Sequence, residues 1–228
     1  MGDDLDNSTC MQVAAQTCVQ RIYNTFSESI VLIRLFMTIP MAQLPEPDQI
    51  FARQMLGNRD ILSLLNEETV MLSLLGNYGV ESDWCNRYQS QSYLGIPLVT
   101  ADFVATMPMV ATMMHDLGLG LAWLDTKDTD LVVRAMGGAT QIFYVEDAKT
   151  AVDGTGRRIV AQEDFVSNYN IKTVFGLGGS YVDGTLITML FFSRESIVRS
   201  EVDRFRILFN EIKQSSVKFI LANKIFEG

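Results

Sequence analysis

The chain alternates between stretches whose apolar residues recur every three or four positions and stretches in which they run nearly unbroken. Ser8–Phe26 is of the first kind. Met11, Ala14, Ala15, Cys18, Ile22 and Phe26 fall on one face of a helix, and Asn7, Ser8 or Thr9 can cap its start. Ile30–Ile39 is of the second kind: only Arg34 and Thr38 are polar, which predicts a strand ended by Pro40. A loop with Pro45 and Pro47 and a short helix over Asp48–Leu56 follow. Glu68–Gly76 predicts a second strand, turned by Asn77-Tyr78-Gly79, and Leu94–Val99 a short third one. Thr100 is placed to cap a helix over Ala101–Leu117. Pro108 demands a kink or break in that helix near Thr106, and Gly118 and Gly120 end it.

Thr140–Val145 reads as another strand and Gln162–Tyr169 as a short helix. In Ile171–Ser193, two apolar, β-branched and aromatic runs flank Asp183-Gly184, which predicts a hairpin with a tight type I′ turn, apolar on both faces. A long final helix, from about Ser196 to Phe226, buries Val202, Phe205, Leu208, Phe209, Ile212, Phe219 and Ile220 on one stripe. Ser200-x-x-Asp203 resembles a capping box with Asp in place of Glu. Ile207, Val217, Leu221 and Ile225 do not fit on that stripe. They predict a second apolar surface, and with it a homodimer through Ser8–Phe26 and Ser200–Phe226.

Strands gathered between terminal helices predict an α+β fold: a central, largely antiparallel sheet, the N- and C-terminal helices on one face, and a helix-loop excursion on the other. One domain of residues 1–228 is expected, with an N-terminal helix (1–28), a sheet core (29–195) and a C-terminal helix (196–228). The connection between the second strand and Thr140 is too long for a hairpin and is expected to cover a ligand cavity.

Composition narrows this picture. Almost half of the 228 residues are apolar, ample for a core, and the net charge of −9 disfavours nucleic acid and anionic membrane surfaces. Met1–Asp6 is acidic and the apolar runs are interrupted by charge, so neither a secretory signal nor a membrane span is expected; the expectation is a cytoplasmic protein. Cys10, Cys18 and Cys85 form neither a disulfide framework nor a zinc cluster, and His115 is the only histidine.

Candidate chemistry is sparse. Gly176-Leu-Gly178-Gly179 lacks the spacing of a phosphate loop and reads better as a close backbone approach. Asp125-Thr-Lys-Asp128-Thr-Asp130 lacks the glycine and glutamate of a calcium loop. Arg157 and Arg158 can clamp an anion or stand on an exposed turn. The mixture most suited to a small-molecule pocket is Trp84, Arg87, Tyr88 and Gln89: aromatic faces, a fork donor and an amide. An ordered loop packing its own aromatics is the competing reading. Met107 and Phe165 are expected to reach the same cavity. His115 is either a binding residue or a partner of its helix's C-terminus.

With these elements in place, the chain resembles the GAF family of sensory domains. The resemblance rests on element order, on the hairpin through Gly184-Thr-Leu-Ile-Thr-Met-Leu-Phe-Phe-Ser193, and on the loop with Ile197 leading to Glu201-Val-Asp-Arg-Phe205 and a closing helix. Leu35-Phe-Met-Thr-Ile-Pro40, Arg87-Tyr-Gln-Ser90, Ile96-Pro97-Leu98, Pro108-Met109 and Phe175-Gly-Leu-Gly-Gly179 are similar to a diverged subgroup within bacterial sensor histidine kinases. The resemblance implies a non-catalytic sensory module. Such a module binds an unidentified small ligand under the excursion, dimerises through its terminal helices, and partners a sensor kinase or other signalling protein. Trp84, Arg87, Tyr88, Met107, His115 and Phe165 are the expected ligand-binding residues. The family's cyclic-nucleotide pattern and its bilin-binding Cys-His pair are absent; Met114 precedes His115. A protein-interaction module without a small ligand is the alternative.

Overall fold

The computed structural model describes residues 7–57, 59–89, 94–126, 132 and 139–227. In chain order its elements begin with α1 (Met11–Phe26), β1 (Ile30–Pro40), α2 (Glu46–Leu56), α3 (Arg59–Leu62), β2 (Val70–Gly79) and β3 (Gly95–Pro97). Then come α4 (Ala101–Ala105), α5 (Pro108–Asp116), α6 (Ala122–Thr126), β4 (Gln141–Val145), α7 (Glu163–Asn168), β5 (Thr173–Ser180), β6 (Leu186–Ser193), α8 (Arg199–Val202) and α9 (Phe205–Leu221). The fold is α+β. Six strands form one sheet in the order β3-β2-β1-β6-β5-β4, and every neighbouring pair is antiparallel.

The strand order explains the excursion. β3 and β4 are the two opposite edges, so the chain between them must cross five strand spacings, about 24 Å at ~4.8 Å each. That crossing lays α5 over one face. Val31, Leu32, Phe36, Leu74 and Leu190 meet Val110, Met113, Met114 and Leu117 there. On the other face Ile33, Leu35, Met37, Phe175 and Phe191 pack against Ala14, Cys18, Ile22, Phe209 and Ile212 of the terminal helices. Both faces of the central strands are covered, and all of β5 and β6 is buried.

Several local expectations hold. The helix over 101–117 breaks at Thr106 and Met107, where Pro108 starts a new helix at its first position. Thr100 caps α4, its hydroxyl accepting from the Phe103 N–H at 3.1 Å. Other expectations are corrected. α1 begins at Met11, and Cys10 makes no side-chain cap. The free N–H groups of Met11 and Gln12 donate instead to the carbonyls of Lys224 and Ile225, both at 2.9 Å. The far end of the chain has done the work of a capping side chain. The final helix is two helices, interrupted at Asp203 and Arg204; no side chain caps α8, and Asp203 receives Arg206 rather than closing a capping box.

The hairpin turn is not type I′, because Gly184 has φ 84° while Asp183 is absent from the residues with positive φ. The strands end at Ser180 and Leu186, and Asp183 accepts from both the N–H and the hydroxyl of Thr185. That side-chain anchor leaves glycine alone in the left-handed region.

Candidate functional site

The excursion face is built of apolar side chains with a few polar ones driven through it. Arg34 sits in the middle of β1, between Asn77 of β2 and Leu190 of β6. It is 9% exposed, and its Nε donates to Asn77 Oδ1 at 3.3 Å. The pairing of β1 with β2 shifts register between Leu35 and Phe36, immediately beside this pair. Such bulges re-aim neighbouring side chains and recur beside functional sites. Asn77 is fully buried, and its Nδ2 has no hydrogen-bond partner. Thr188, also fully buried, donates to the Leu177 carbonyl at 3.1 Å.

Between this part of the sheet and α5 lies a cavity of about 20 Å³. Arg34, Phe36, Leu72, Ile96 and Leu190 line it from the sheet; Met109, Val110 and Met113 line it from the helix. A cavity is therefore present beneath α5, but the lining differs from the expected set. Trp84 and Phe165 do come together, with ring centroids 5.6 Å apart. They form an aromatic cluster with Tyr169 and Phe192 away from the cavity. The Tyr169 hydroxyl donates to Glu81 at 3.0 Å, fastening the cluster to the loop before Trp84.

Arg87 is 1% exposed and answers a different need. Its Nη2 forms an ion pair with Asp48 of α2, and its Nε donates to the Leu74 carbonyl at 2.5 Å. Tyr88, half exposed, stacks on it at 4.7 Å, and Phe226 covers it at 5.3 Å. Arg87 thus ties α2, β2 and the end of the chain. Burial pushes the Asp48 carboxyl above its usual range, and the adjacent guanidinium opposes that push. Met107 is half buried against the excursion core. The His115 side chain is 85% exposed, 3.5 Å from Asp116, at the end of α5. Of the six expected residues, Trp84 pairs with Phe165 and Arg87 with Tyr88, while Met107 and His115 stand apart.

The chemistry weighed along the sequence settles into ordinary positions. Gly176–Gly179 is strand, and a Cβ on Gly178 would lie 2.6 Å from Leu117, so α5's end packs onto bare backbone. Arg157 forks onto Asp153 in an exposed turn. Asp128, Asp130 and Ser90 lie outside the described residues. Among the described residues no group of three or more His, Cys, Asp or Glu could hold a metal ion, and no helix is long and apolar enough to cross a membrane.

The opposite face ends in a larger feature. Where α1 finishes and α9 starts, a groove of about 890 Å³ opens, floored by Ile22, Phe26, Ile30, Ile197, Phe205 and Leu208 and rimmed by Arg21, Glu201 and Arg204. Along α9 the solvent-facing positions are Arg204, Ile207, Glu211, Gln214, Lys218 and Leu221, spaced three and four apart. Ile207 is 70% and Leu221 74% exposed. Val217 and Ile225, expected on this surface, turn inward; Ile225 is buried and Val217 packs against the terminal-helix core.

Arg34 is the residue sequence reasoning passed over. Its signal was present: one cation in an otherwise apolar strand long enough to be central. No protein-family model matches the chain, and a search of curated proteins finds no match either.

Proposed function

We propose that this protein is a non-catalytic sensory or regulatory module of GAF-like build. It responds to a small ligand between the sheet and α5 and passes the response to a signalling protein, such as a sensor kinase, through a homodimer of its terminal helices. The observation that carries this reading is the exposed row on α9. In an antiparallel pairing of two copies centred on Gln214, Ile207 meets Leu221 of the second copy and Glu211 comes within one residue of level with its Lys218. Both contacts are self-complementary, as an isologous interface requires. The row from Ile207 to Leu221 is about 21 Å long at ~1.5 Å per residue, and the groove at its start offers further apolar area beside the second copy's Leu221.

Light scattering at micromolar concentration tests this, with the double variant Ile207→Asp/Leu221→Asp beside the parent chain. The expected result is a parent dimer and a monomeric variant. A parent monomer, or a variant dimer, removes the interface. The alternative reading, an interaction module without a small ligand, draws support from the disparity between a cavity of about 20 Å³ and a groove of about 890 Å³. Thermal stabilisation by a ligand separates the two.

A further inference from the structure

One pocket takes its walls from both faces of the sheet. It lies where β1 ends, among the β5–β6 turn, α6 and the end of α9, and has a volume of about 280 Å³. Met37, Ile39 and Ile225 belong to the core under the terminal helices, Val70 and Trp123 to the core under the excursion. At the ~30 Å³ that a water occupies in the liquid, the space holds roughly nine non-hydrogen atoms. That is close to the lower end of small-molecule sites, about 300 Å³. Trp123 Nε1 is buried without a partner, so the indole brings ring surface to the pocket rather than a donor.

The polar part of the lining carries one sign of charge. Asp183 is the only charged residue among the described ones that line the pocket; Thr38, Gln43, Thr185 and Asn223 are neutral. Asp183 is exposed, and no ion pair engages it among the described residues. Its carboxylate is nonetheless fixed in place. Oδ1 accepts from the Thr185 N–H at 3.0 Å and Oδ2 from the Thr185 hydroxyl at 2.9 Å. Each oxygen keeps a lone pair for a further donor, and the amide oxygens of Gln43 and Asn223 are acceptors on the same lining. The net charge of −9 draws cations toward such a place.

We propose that this pocket binds a small aliphatic primary amine, its ammonium on Asp183 and its hydrocarbon part against Met37, Ile39, Trp123 and Ile220. A primary ammonium has three donors, which the carboxylate and the two amides match in kind. Its bond to a carboxylate is charge-assisted and roughly twice as strong as a neutral one. A carboxylate guest would meet Asp183 with like charge. Ile220 and Asn223 stand on either side of Leu221 in the chain, and the Ile225 carbonyl receives the Gln12 N–H at the start of α1. Occupancy therefore bears on both terminal helices. The site goes beyond the ligand proposed beneath α5 and does not depend on it.

The test is calorimetric titration of the whole chain with three probes of one carbon skeleton at constant ionic strength: n-pentylammonium chloride, 1-pentanol and sodium pentanoate. Saturable one-site binding is expected for the amine, binding at least tenfold weaker for the alcohol, and none for pentanoate. Asp183→Asn keeps an oxygen for the Thr185 N–H and removes the charge. It is expected to weaken the amine at least tenfold, to the level of the alcohol. No saturable binding of the amine, pentanoate binding as tightly as the amine, or an affinity unchanged in Asp183→Asn overturns the assignment. The ranking by charge is read on the parent chain alone, so it decides the matter even if the variant does not fold.

Discussion

The two faces of the sheet are packed by different means. The terminal-helix face is covered by two regular amphipathic helices, α1 and α9, whose buried residues recur every three or four positions. The excursion face is covered by helices of five, nine and five residues, α4 to α6, and by an aromatic cluster at the sheet's end. Buried polar groups occur on both faces. On the helix side Tyr181 and Ser216 satisfy each other at 2.6 Å. On the excursion side Asn77 Nδ2 and Trp123 Nε1 are buried without a partner and Arg34 lines a cavity, while at the edge of the helix side Asp48 Oδ1 and Arg87 Nη1 are unpartnered as well. A buried donor left unpaired costs about 1–3 kcal/mol. The excursion face closes over a cavity of about 20 Å³, while the face of long helices ends in a groove of about 890 Å³.

The largest effect expected from breaking this arrangement is at Arg87, which locks the helix side at its edge. Arg87→Ala leaves Asp48 buried beside an empty space, and loss of one member of a buried pair costs about 3–5 kcal/mol. It also removes the cation over which Phe226 lies, next to the carbonyls that cap α1. Urea unfolding should show that loss; a change below about 1 kcal/mol would mean the pair is incidental. Asp48→Asn gives the pH counterpart. A carboxyl raised by burial takes up its proton at higher pH in the folded chain than in the unfolded one. Its contribution is fully present below the ordinary carboxylate value and is lost as pH rises through the folded value. The parent should therefore carry a downward slope of stability with pH in that window that the variant lacks. Identical slopes would place the titration elsewhere.

The next effect compares the faces directly. A Cβ on Gly76 would lie 2.7 Å from the main-chain carbon and oxygen of Ala15, whereas one on Gly178 would meet only the side chain of Leu117, at 2.6 Å. Backbone of a long helix does not yield; a leucine can change rotamer. Gly76→Ala should cost about 2–3 kcal/mol, and Gly178→Ala less than about 1.5 kcal/mol. The reverse order in chemical denaturation would contradict the view that the helix face is the stiffer one.

How far these faces could be read from sequence follows from how local their causes are. The Pro108 break, the Thr100 cap and the stripes of α1 and α9 depend on neighbours within a few residues, and they were legible. The cap of α1 was not: its acceptors, Lys224 and Ile225, lie at the other end of the chain. Arg87 looked like a pocket residue because its partner Asp48 is 39 positions away, a contact no spacing rule encodes. Ile225 looked exposed for the same reason; it follows the last turn of α9 back into the core, where Asn223 takes the positive φ that reverses the chain. Arg34 is visible in the sequence as the one cation in the apolar run Ile30–Ile39. A charge inside a central strand has no route to solvent except through the covering layer, and that inference needed only the strand assignment.

The smallest effect in free energy sharpens the comparison most, because it reads one face at two points. Cys10 and Cys18 are both buried at the helix side, and Cys85 is half buried at its edge. Burial pushes the Cys18 thiol up to about 12, so at neutral pH it is protonated and poorly nucleophilic. A thiol-specific disulfide reagent should label Cys85 first, with Cys10 and Cys18 waiting on opening of the fold. Cys10 stands at the start of α1, one residue before the N–H that the Lys224 carbonyl caps, while Cys18 lies two turns into the same helix. Loosening the chain end through Arg87→Ala should therefore free Cys10 before Cys18, with at least about a tenfold separation in rate if the local opening is about 1.4 kcal/mol easier than the global one. Mass spectrometry of peptides after timed labelling resolves the three sites. Equal rates for Cys10 and Cys18 in both proteins would show that α1 opens only as a whole, and that the contact between the chain ends does not govern its first turn.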